Sequence, residues 1–528
     1  MLGPGVVVVN GAAVDYDSAH RRPGAARRET STMRHALAAL SFVAGSLLAA
    51  PACAQPAEAS EAEAEEPSEE NDEPGPDYLR AFLWDAAALA GGSIWYWIDD
   101  RNIVDWDFDS WETRFSERAY RFDNNEVPIN WIGHPLSGAA YYGVPRANRL
   151  SVPMSFVYGV VTSFIWEFFL EFQERFSLND FVSTPLGGVP IGEGFIRLGR
   201  WLDNAAHPAL AWTLGLPVAL HELLDGRAVG VEDGQPAEED PGFADVRLDY
   251  GFAWALPGDD RAAPGFDVSR FGMRGRFVAL RGYRQPGEGI DGFYDAEVTR
   301  MRMDALVSST GAGFELEADT IVAGVHAWAL RERGDALFGH VAIVGTSVSH
   351  LFRFENFDPW HERLAFTGFP GLAVELEEHL GLASVTFDGR MQLLFGASNA
   401  SHEVRRWVRA HPDAVPASLL TRHAYWNGWG WTARGRLEVR VGPVFLSALG
   451  RYVAIDSQEG YDRNQADVTR EADGYGQLLE TALEARVHVG ELVVVRARWT
   501  GQRRFSSLDE ITSTGRLDRL ELSVGLRQ

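Results

Sequence analysis

The sequence predicts an α+β multidomain protein, in which a small helical N-terminal domain precedes an antiparallel transmembrane β-barrel of roughly 10–14 strands. Two observations support this prediction. Apolar residues recur at helical spacing up to about residue 228, and beyond residue 243 they alternate with polar residues at a period of two. An acidic, proline-containing segment separates the two patterns, which is typical of a linker.

The N-terminal region predicts export. Residues 33–54 read MRHALAALSFVAGSLLAAPACA, with Arg34 and His35 before an apolar core that is too short to span a bilayer. The small residues around Cys53 match a cleavage site and leave Gln55 as the first mature residue. A lipoprotein signal anchored through Cys53 is the alternative, which Pro51 fits poorly. We interpret residues 1–32 as a mis-called upstream extension.

The amino-acid composition predicts two linkers and excludes some partners and cross-links. Residues 55–77 are dense in glutamate and predict a disordered linker, and residues 229–243 predict a second linker. The formal net charge of -26 excludes nucleic acid as a partner, because a phosphate backbone needs a basic surface. The single cysteine excludes an internal disulfide framework.

Residues 78–228 form the predicted helical domain. Apolar stretches at 81–98, 152–172, 195–202 and 209–224 predict helices. We take the prolines between and within them as turn signals; they are Pro128, Pro135, Pro145, Pro153, Pro185 and Pro190. The stretch from Met154 to Leu170 borders on transmembrane length, and a buried helix is the favoured interpretation.

Residues 244–528 form the predicted barrel. Apolar residues at 246–256 and 520–526 occupy every second position, and in another strand Met301 and Met303 alternate with Arg300, Arg302 and Asp304. A soluble β-sandwich also alternates, but long strands with one charged face favour a barrel with a wet interior. Aromatic residues near strand ends suit membrane-interface girdles; they are Trp360, Trp426, Trp429 and Trp431. Gln528 is not the terminal aromatic residue that bacterial barrels commonly have.

The most distinctive segment, residues 111–193, combines polar residues and glycines at fixed spacing. Its motif positions are Asn130, His134, Pro135, Gly138, Tyr141, Arg146, Asn148, Trp166, Glu167, Glu171, Ser177, Asn179, Asp180, Gly187, Gly188, Gly192 and Glu193. On these residues the segment resembles the bacterial envelope proteins catalogued as domain of unknown function 3943. It departs from their pattern at Pro145, where alanine is usual. The resemblance implies family membership and no known activity.

The carboxylates of this segment can be interpreted in two ways. Glu167 and Glu171 lie on one face of an apolar helix, where they are costly unless paired, and Arg146, His134 and Arg175 are the nearest candidate partners. The favoured interpretation is a buried polar network. The alternative is a functional site, with catalytic candidates His134, Glu167, Glu171 and Asp180 and metal candidates His134, Glu167 and Asp180.

Local signals complete the expectations for this segment. Ser177 to Asp180 predicts a helix N-cap region. Gly187, Gly188 and Gly192 predict close helix packing or a tight turn. Because proline follows His134, we expect extended backbone there, at the end of an element.

The sequence leaves three functions open. The first is a non-enzymatic outer-membrane pore or scaffold with the helical domain as a periplasm-side plug, cap or docking module. The second is a membrane-embedded enzyme acting on lipid or envelope glycan, and the third is a lipid-binding or lipid-transfer protein. We expect the outer membrane of a Gram-negative bacterium as the location, and outer-membrane lipid and a periplasmic protein as partners. No cofactor is predicted, although a divalent metal ion is left open.

Overall fold

The computed structural model describes residues 75–99, 115, 120–123, 125–171, 175–204, 209, 211–212, 215–226, 243–256, 267–309, 311–334, 336–357, 360–458 and 468–527. The predicted upstream extension, the signal segment, nearly all of the first linker and the second linker up to residue 242 lie outside these residues.

The described helices fall into two groups. Most precede the barrel, and two short ones lie in a connection between barrel strands. They are α1 (Tyr78–Asp99), α2 (His134–Ala147), α3 (Val152–Ile165), α4 (Leu178–Asn204), α5 (Leu216–Leu224), α6 (Ser401–Ala410) and α7 (Ser418–His423). A π-helical turn, Ile129–Gly133, leads into α2, and another, Trp166–Leu170, extends α3. We call Tyr78 to Leu224 the helical domain.

The strands form one short pair and one large sheet. The pair is β1 (Tyr120–Arg121) with β2 (Phe176–Ser177). The strands of the large sheet are β3 (Phe243–Leu256), β4 (Asp267–Val278), β5 (Gly287–Phe293), β6 (Val298–Ser308), β7 (Gly311–Arg333), β8 (Ala336–Phe357), β9 (Trp360–Leu380), β10 (Ala383–Asn399), β11 (Tyr425–Val441), β12 (Val444–Ser457), β13 (Gly474–Val489), β14 (Val493–Leu508) and β15 (Ile511–Arg527).

The large sheet closes into an antiparallel barrel. Twelve strands, β3, β4 and β6 to β15, pair in sequence, and β15 returns to pair with β3, where Leu526 lies opposite Leu248. The short β5 pairs only with the end of β7 and stands outside the ring. The predicted barrel and its even strand number within the range of 10–14 are thereby confirmed.

Side-chain alternation distinguishes the two faces of the barrel wall. On β3, Leu248, Tyr250 and Phe252 are about half exposed and point outward, whereas Asp249 and Ala253 are buried inside. Charged residues on the inner face form ion pairs across the barrel, as between Arg353 of β8 and Glu480 of β13. The sequence alternation therefore reflects an apolar exterior and a charged lumen.

The helical domain packs against the outside of this wall. Ile191, Leu198 and Leu202 of α4 share an apolar cluster with Met273 of β4 and Met301 of β6. These strand residues alternate with the lumenal residues Arg270, Arg274, Arg300 and Arg302, so they belong to the outer face. The prediction of a plug is therefore wrong for the described residues of the helical domain, because α4 buries its apolar residues against the outer wall.

Two further expectations are corrected. Pro185 and Pro190 lie inside α4 and Pro145 lies inside α2, so these prolines do not end helices. The stretch Val152–Leu170, which by length and composition suffices to cross a membrane, is only 33% buried and exposes Val157 and Val161. It is therefore not the buried core helix that we expected.

The tryptophans assigned to the aromatic girdle do not all face the same side of the barrel wall. Trp429 and Trp431 of β11 face outward and are each 39% exposed. Trp426 faces inward and is buried, because it belongs to an apolar cluster with Trp407 and Leu420. The side chain of Trp360 lies outside the described part of the structure.

Candidate functional site

Motif glycines allow α2 and α4 to approach each other closely. A Cβ atom at Gly138 would lie 1.8 Å from the carbonyl oxygen of Thr184, and one at Gly188 would lie 2.4 Å from the carbonyl carbon of Gly138. One at Gly192 would lie 2.7 Å from the ring of Tyr142. The glycines therefore serve helix packing, the first of the two roles that the sequence predicted.

A buried ionic network locks the same two helices together. Arg146 donates from Nε to Glu193 Oε2 over 3.0 Å, and Tyr142 donates its hydroxyl to the same oxygen over 2.8 Å. Arg197 donates from Nε to Glu193 Oε1 over 2.9 Å, and Arg146 also pairs with Asp295 at 3.1 Å. Because Glu193 is fully buried and shared by two arginines, this network is structural.

Asn148 joins α2 to α5 and to the start of α1. Its Nδ2 donates to Val144 O over 2.8 Å and lies 2.8 Å from His221 Nε2, while its backbone carbonyl accepts from Asp77 N–H. The other ring nitrogen of His221 donates to Pro217 O over 2.7 Å. His221 is therefore a core histidine with both nitrogens satisfied.

A second polar cluster gathers Asp123, His134 and Asp180. His134 Nε2 lies 3.6 Å from Asp180 Oδ2, and one ligand atom from each of the three residues lies within 4.8 Å of the other two. The structure thus brings together His134 and Asp180, which the sequence had named. It adds Asp123, which sequence reasoning missed although it stands in the polar run Asp-Asn-Asn ahead of the motif.

Local structure holds each carboxylate in place. Ser177 precedes α4 as its N-cap, accepts from the Asp180 backbone N–H over 3.3 Å and donates to Asp180 Oδ2 over 2.6 Å. Asn179 Nδ2 donates to Asp180 Oδ1 over 2.8 Å and its Oδ1 accepts from Asp123 N–H over 2.7 Å. Asn125 donates to Asp123 Oδ2 over 2.5 Å. The predicted N-cap is confirmed, and it also fixes the cluster.

Residues of the barrel wall also contact the segment that holds this cluster. Asn130 donates from Nδ2 to the Tyr425 hydroxyl over 3.2 Å and to Asp123 O over 3.2 Å. Trp131 donates from Nε1 to Asn427 Oδ1 over 3.2 Å, and its carbonyl oxygen lies 3.0 Å from His350 Nε2. The cluster therefore lies beside the contact between the helical domain and the outer wall of β8 and β11.

His134 has helical backbone geometry, with φ of −60° and ψ of −49°, so the expectation of an extended conformation is wrong. The following proline occupies the first turn of α2, where it needs no hydrogen-bond donor. Burial lowers the pKa of His134, and the negative charge of Asp123 opposes that shift. The neutral imidazole is a candidate metal ligand at neutral pH.

Glu167 and Glu171 are not members of this three-residue cluster. Glu171 accepts from the indole Nε1 of Trp166 over 2.7 Å, while Glu167 is buried in the π-helical turn. Arg146, one of the partners expected for them, pairs with Glu193 instead. Of the candidate site residues that the sequence named, the structure therefore groups His134 with Asp180 and leaves Glu167 and Glu171 outside the cluster.

The cluster offers one nitrogen and two carboxylate oxygens, a donor set suited to a divalent transition metal. Ser177 donates its hydroxyl to Asp180 and so supports the cluster through a hydrogen bond.

The fold and this site define a closed twelve-strand β-barrel with a helical domain on its outer wall. Residues 119–216 match the family model described as "Domain of unknown function (DUF3943)", which confirms the resemblance seen in the sequence. No curated protein matches the chain in sequence.

Solved outer-membrane barrels are among the structures similar to this chain. The anion-selective porin from Comamonas acidovorans is 8% identical, with 54% of this chain and 99% of the porin covered and a TM-score of 0.21. The translocator domain of the autotransporter NalP from Neisseria meningitidis is 13% identical, with 59% and 97% covered and a TM-score of 0.21. Because these TM-scores are low, the barrel assignment depends on the strand pairing observed in this chain.

Proposed function

We propose that the protein is an outer-membrane β-barrel with a closed lumen, which serves as a scaffold for a membrane-embedded helical domain and not as a diffusion pore. The observation that carries this proposal is the set of ion pairs that bridge opposite walls of the lumen.

The bridges join strands that are far apart around the ring. Arg353 of β8 donates to Glu480 of β13 over 2.6 Å, and Arg519 of β15 donates to Glu355 of β8 over 2.9 Å. Arg276 of β4 bonds Glu375 of β9 over 2.9 Å. Because Arg353, Glu480, Arg519 and Glu355 are buried and charge-compensated, removing one partner would leave an uncompensated charge, which costs about 3–5 kcal/mol.

Both ends of the lumen are also filled. At the end where the strand connections are 334–335, 381–382 and 442–443, an apolar cluster includes Leu280, Tyr283, Val341 and Ile343. At the opposite end, Trp407 of α6 is fully buried in a cluster that includes Trp426 and Leu420. These clusters favour a sealed barrel.

One small cavity lies among the charged residues of the lumen. The cavity lined by Glu317, Asp319, Arg390, Gln392 and Arg434 has a volume of about 20 Å³. A single water molecule needs at least roughly 10–15 Å³, so this space suits one or two waters and no solute.

The same geometry favours a membrane location. The outward face of β3 and β15 is apolar from Leu248 to Leu256 and from Leu520 to Leu526. Most connections at the end that holds Phe243 and Arg527 are short, and the longest connection, 400–424, lies at the other end. This arrangement fits periplasmic turns and an extracellular loop.

The helical domain lies at the height of this apolar belt. At one end its Trp131 ring lies 5.7 Å from Phe395, which pairs with Trp429 of the aromatic girdle. At the other end Leu202 shares a cluster with Val246 and Phe277, near the short turns. A helix of 27 residues such as α4 is about 40 Å long, enough to follow the wall across a hydrocarbon layer of about 30 Å.

The other functions have less support. A periplasmic docking module would extend beyond the end of the barrel, whereas the helical domain lies along the outer face of the barrel wall. A lipid-facing helical domain is compatible with lipid binding by the scaffold. An enzyme acting on lipid or glycan would use the cluster of Asp123, His134 and Asp180, and no observation specifically favours that activity.

Planar-bilayer recording of the purified full chain tests the closed lumen. We expect no steady conductance from the wild type. A double variant, Arg353→Ala with Glu480→Ala, removes both partners of one bridge. It serves as the comparison, because a lumen with one bridge fewer should open more readily than that of the wild type. A steady open-channel current from the folded wild type would contradict the proposal.

A further inference from the structure

We infer that Asp123, His134 and Asp180 form a binding site for a first-row divalent transition metal ion at the junction of the helical domain and the barrel wall. The site is independent of whether the lumen is closed, so failure of one proposal leaves the other standing.

The donor geometry supports this assignment. The three ligand atoms lie within 4.8 Å of one another, and His134 Nε2 lies 3.6 Å from Asp180 Oδ2. Donors bound to one such ion at about 2.0–2.2 Å lie roughly 3–4 Å apart. Side-chain movements of less than about 1 Å would bring all three into coordination.

The ligands come from three elements that the fold fixes. Asp123 follows β1, His134 begins α2, and Asp180 lies in the first turn of α4. β1 and β2 pair in register, with Arg121 opposite Ser177, which sets Asp123 beside the start of α4. The site is therefore present before an ion binds.

Surrounding hydrogen bonds orient the ligands as in metal centres. Ser177 and Asn179 donate to Asp180, and Asn125 donates to Asp123. Such outer partners fix ligand orientation and typically affect metal affinity by about 10–100-fold. The site thus has both ligands and supports.

A second observation comes from Asn130, which donates to the backbone oxygen of Asp123. Its side chain is fully buried, and its Oδ1 accepts no hydrogen bond from the described residues. A buried amide oxygen without a donor is costly, and a metal ion or a water bound to that ion would satisfy it.

The donor set indicates the class of ion. Imidazole favours Zn²⁺, Fe²⁺ and Co²⁺, and carboxylates also accept Mn²⁺, whereas Ca²⁺ and Mg²⁺ prefer oxygen ligands alone. Three protein ligands also leave positions open for water, as in catalytic zinc centres. We therefore expect Zn²⁺, Mn²⁺ and Co²⁺ to bind more tightly than Ca²⁺ or Mg²⁺.

The test is titration of the chelator-treated full chain in detergent with Zn²⁺ and Mn²⁺ by calorimetry, and with Co²⁺ by its visible absorption. We expect one ion per chain. His134→Ala and Asp180→Asn should each lower affinity by about tenfold or more, and Asp123→Asn should lower it in the same direction. His340→Ala, an exposed histidine on β8, is the matched control and should leave binding unchanged.

Folding of each variant is checked by the heat-dependent electrophoretic shift of the barrel. If a variant fails to fold, electron spin-echo envelope modulation of Mn²⁺ bound to the wild type replaces it. Modulation from a nitrogen nucleus would show a histidine ligand, and its absence would contradict ligation by His134. No binding by the folded wild type, or one-site binding that His134→Ala, Asp180→Asn and Asp123→Asn all leave unchanged, overturns the inference.

Discussion

At the scale of single residues, several of the buried charged groups face partners of opposite charge. Glu193 faces Arg146 and Arg197, and Arg353 faces Glu315 and Glu480. Sequence spacing predicted that Glu167 and Glu171 need partners, and Glu171 accepts a hydrogen bond from the Trp166 indole. The pair of Arg146 with Glu193 was not predicted, because it is formed by the packing of two helices that are distant in sequence.

His221 makes stability depend on pH. Burial lowers its pKa, the nearby Arg80 and Arg149 act in the same direction, and Asp225 and the Pro217 carbonyl oppose them. The unfolded chain therefore binds a proton more readily than the native protein. The stability that neutral His221 contributes is fully present above about pH 6.5, the pKa in the unfolded chain, and is lost as the pH falls through the lowered pKa of the native protein. The slope approaches about 1.4 kcal/mol per pH unit for one proton.

The measurement is the free energy of unfolding in detergent between about pH 8 and pH 5. Gln in place of His221 keeps a partner for Asn148 and removes the titration, so His221→Gln should flatten the decline. Equal slopes for wild type and variant would show that His221 does not contribute.

At the scale of elements, strands were more predictable than helices. Side chains along a strand alternate between its two faces, so the apolar face of β3 and β15 could be seen directly in the sequence. Helix ends were predicted from proline, but Pro185 and Pro190 lie inside α4, whose packing against α2 and the barrel offsets their cost. Tertiary contacts of this kind have no local signal.

The contact between α2 and α4 predicts a large effect of a small substitution. In Gly138→Ala, the new methyl group would lie 1.8 Å from Thr184 O and force the helices apart. We expect a loss of about 1–3 kcal/mol in the unfolding free energy of the helical domain, or more where the helices cannot adjust.

Gly159→Ala in α3 is the matched control, since no atom lies within 4 Å of a Cβ placed there. This substitution should be neutral or stabilising by up to about 1 kcal/mol, because alanine favours helix more than glycine does. Thermal unfolding followed by circular dichroism distinguishes the two variants, and equal effects would contradict the proposed packing role of Gly138.

At the scale of the whole molecule, the barrel and its approximate strand number were predictable, whereas the position of the helical domain was not. The sequence suggested a periplasm-side domain because the helices precede the barrel. In the structure, outward residues such as Met273, Met301 and Leu316 are covered by α4, and nothing in their local pattern distinguishes contact with a helix from contact with lipid. Asp123 was missed for a similar reason, because its neighbours His134 and Asp180 are assembled only by the fold.

The most direct test of the central claim, a helical domain in the bilayer beside a sealed barrel, is quenching of a bimane probe by lipids brominated along their acyl chains. Single cysteines are introduced into a Cys53→Ser chain at Val161 of α3, at Phe252 on the barrel belt and at Glu332 near the short turns. The probe at Val161 should be quenched as strongly as the one at Phe252. Quenching at Val161 no greater than at Glu332 would place α3 outside the hydrocarbon layer and contradict the account.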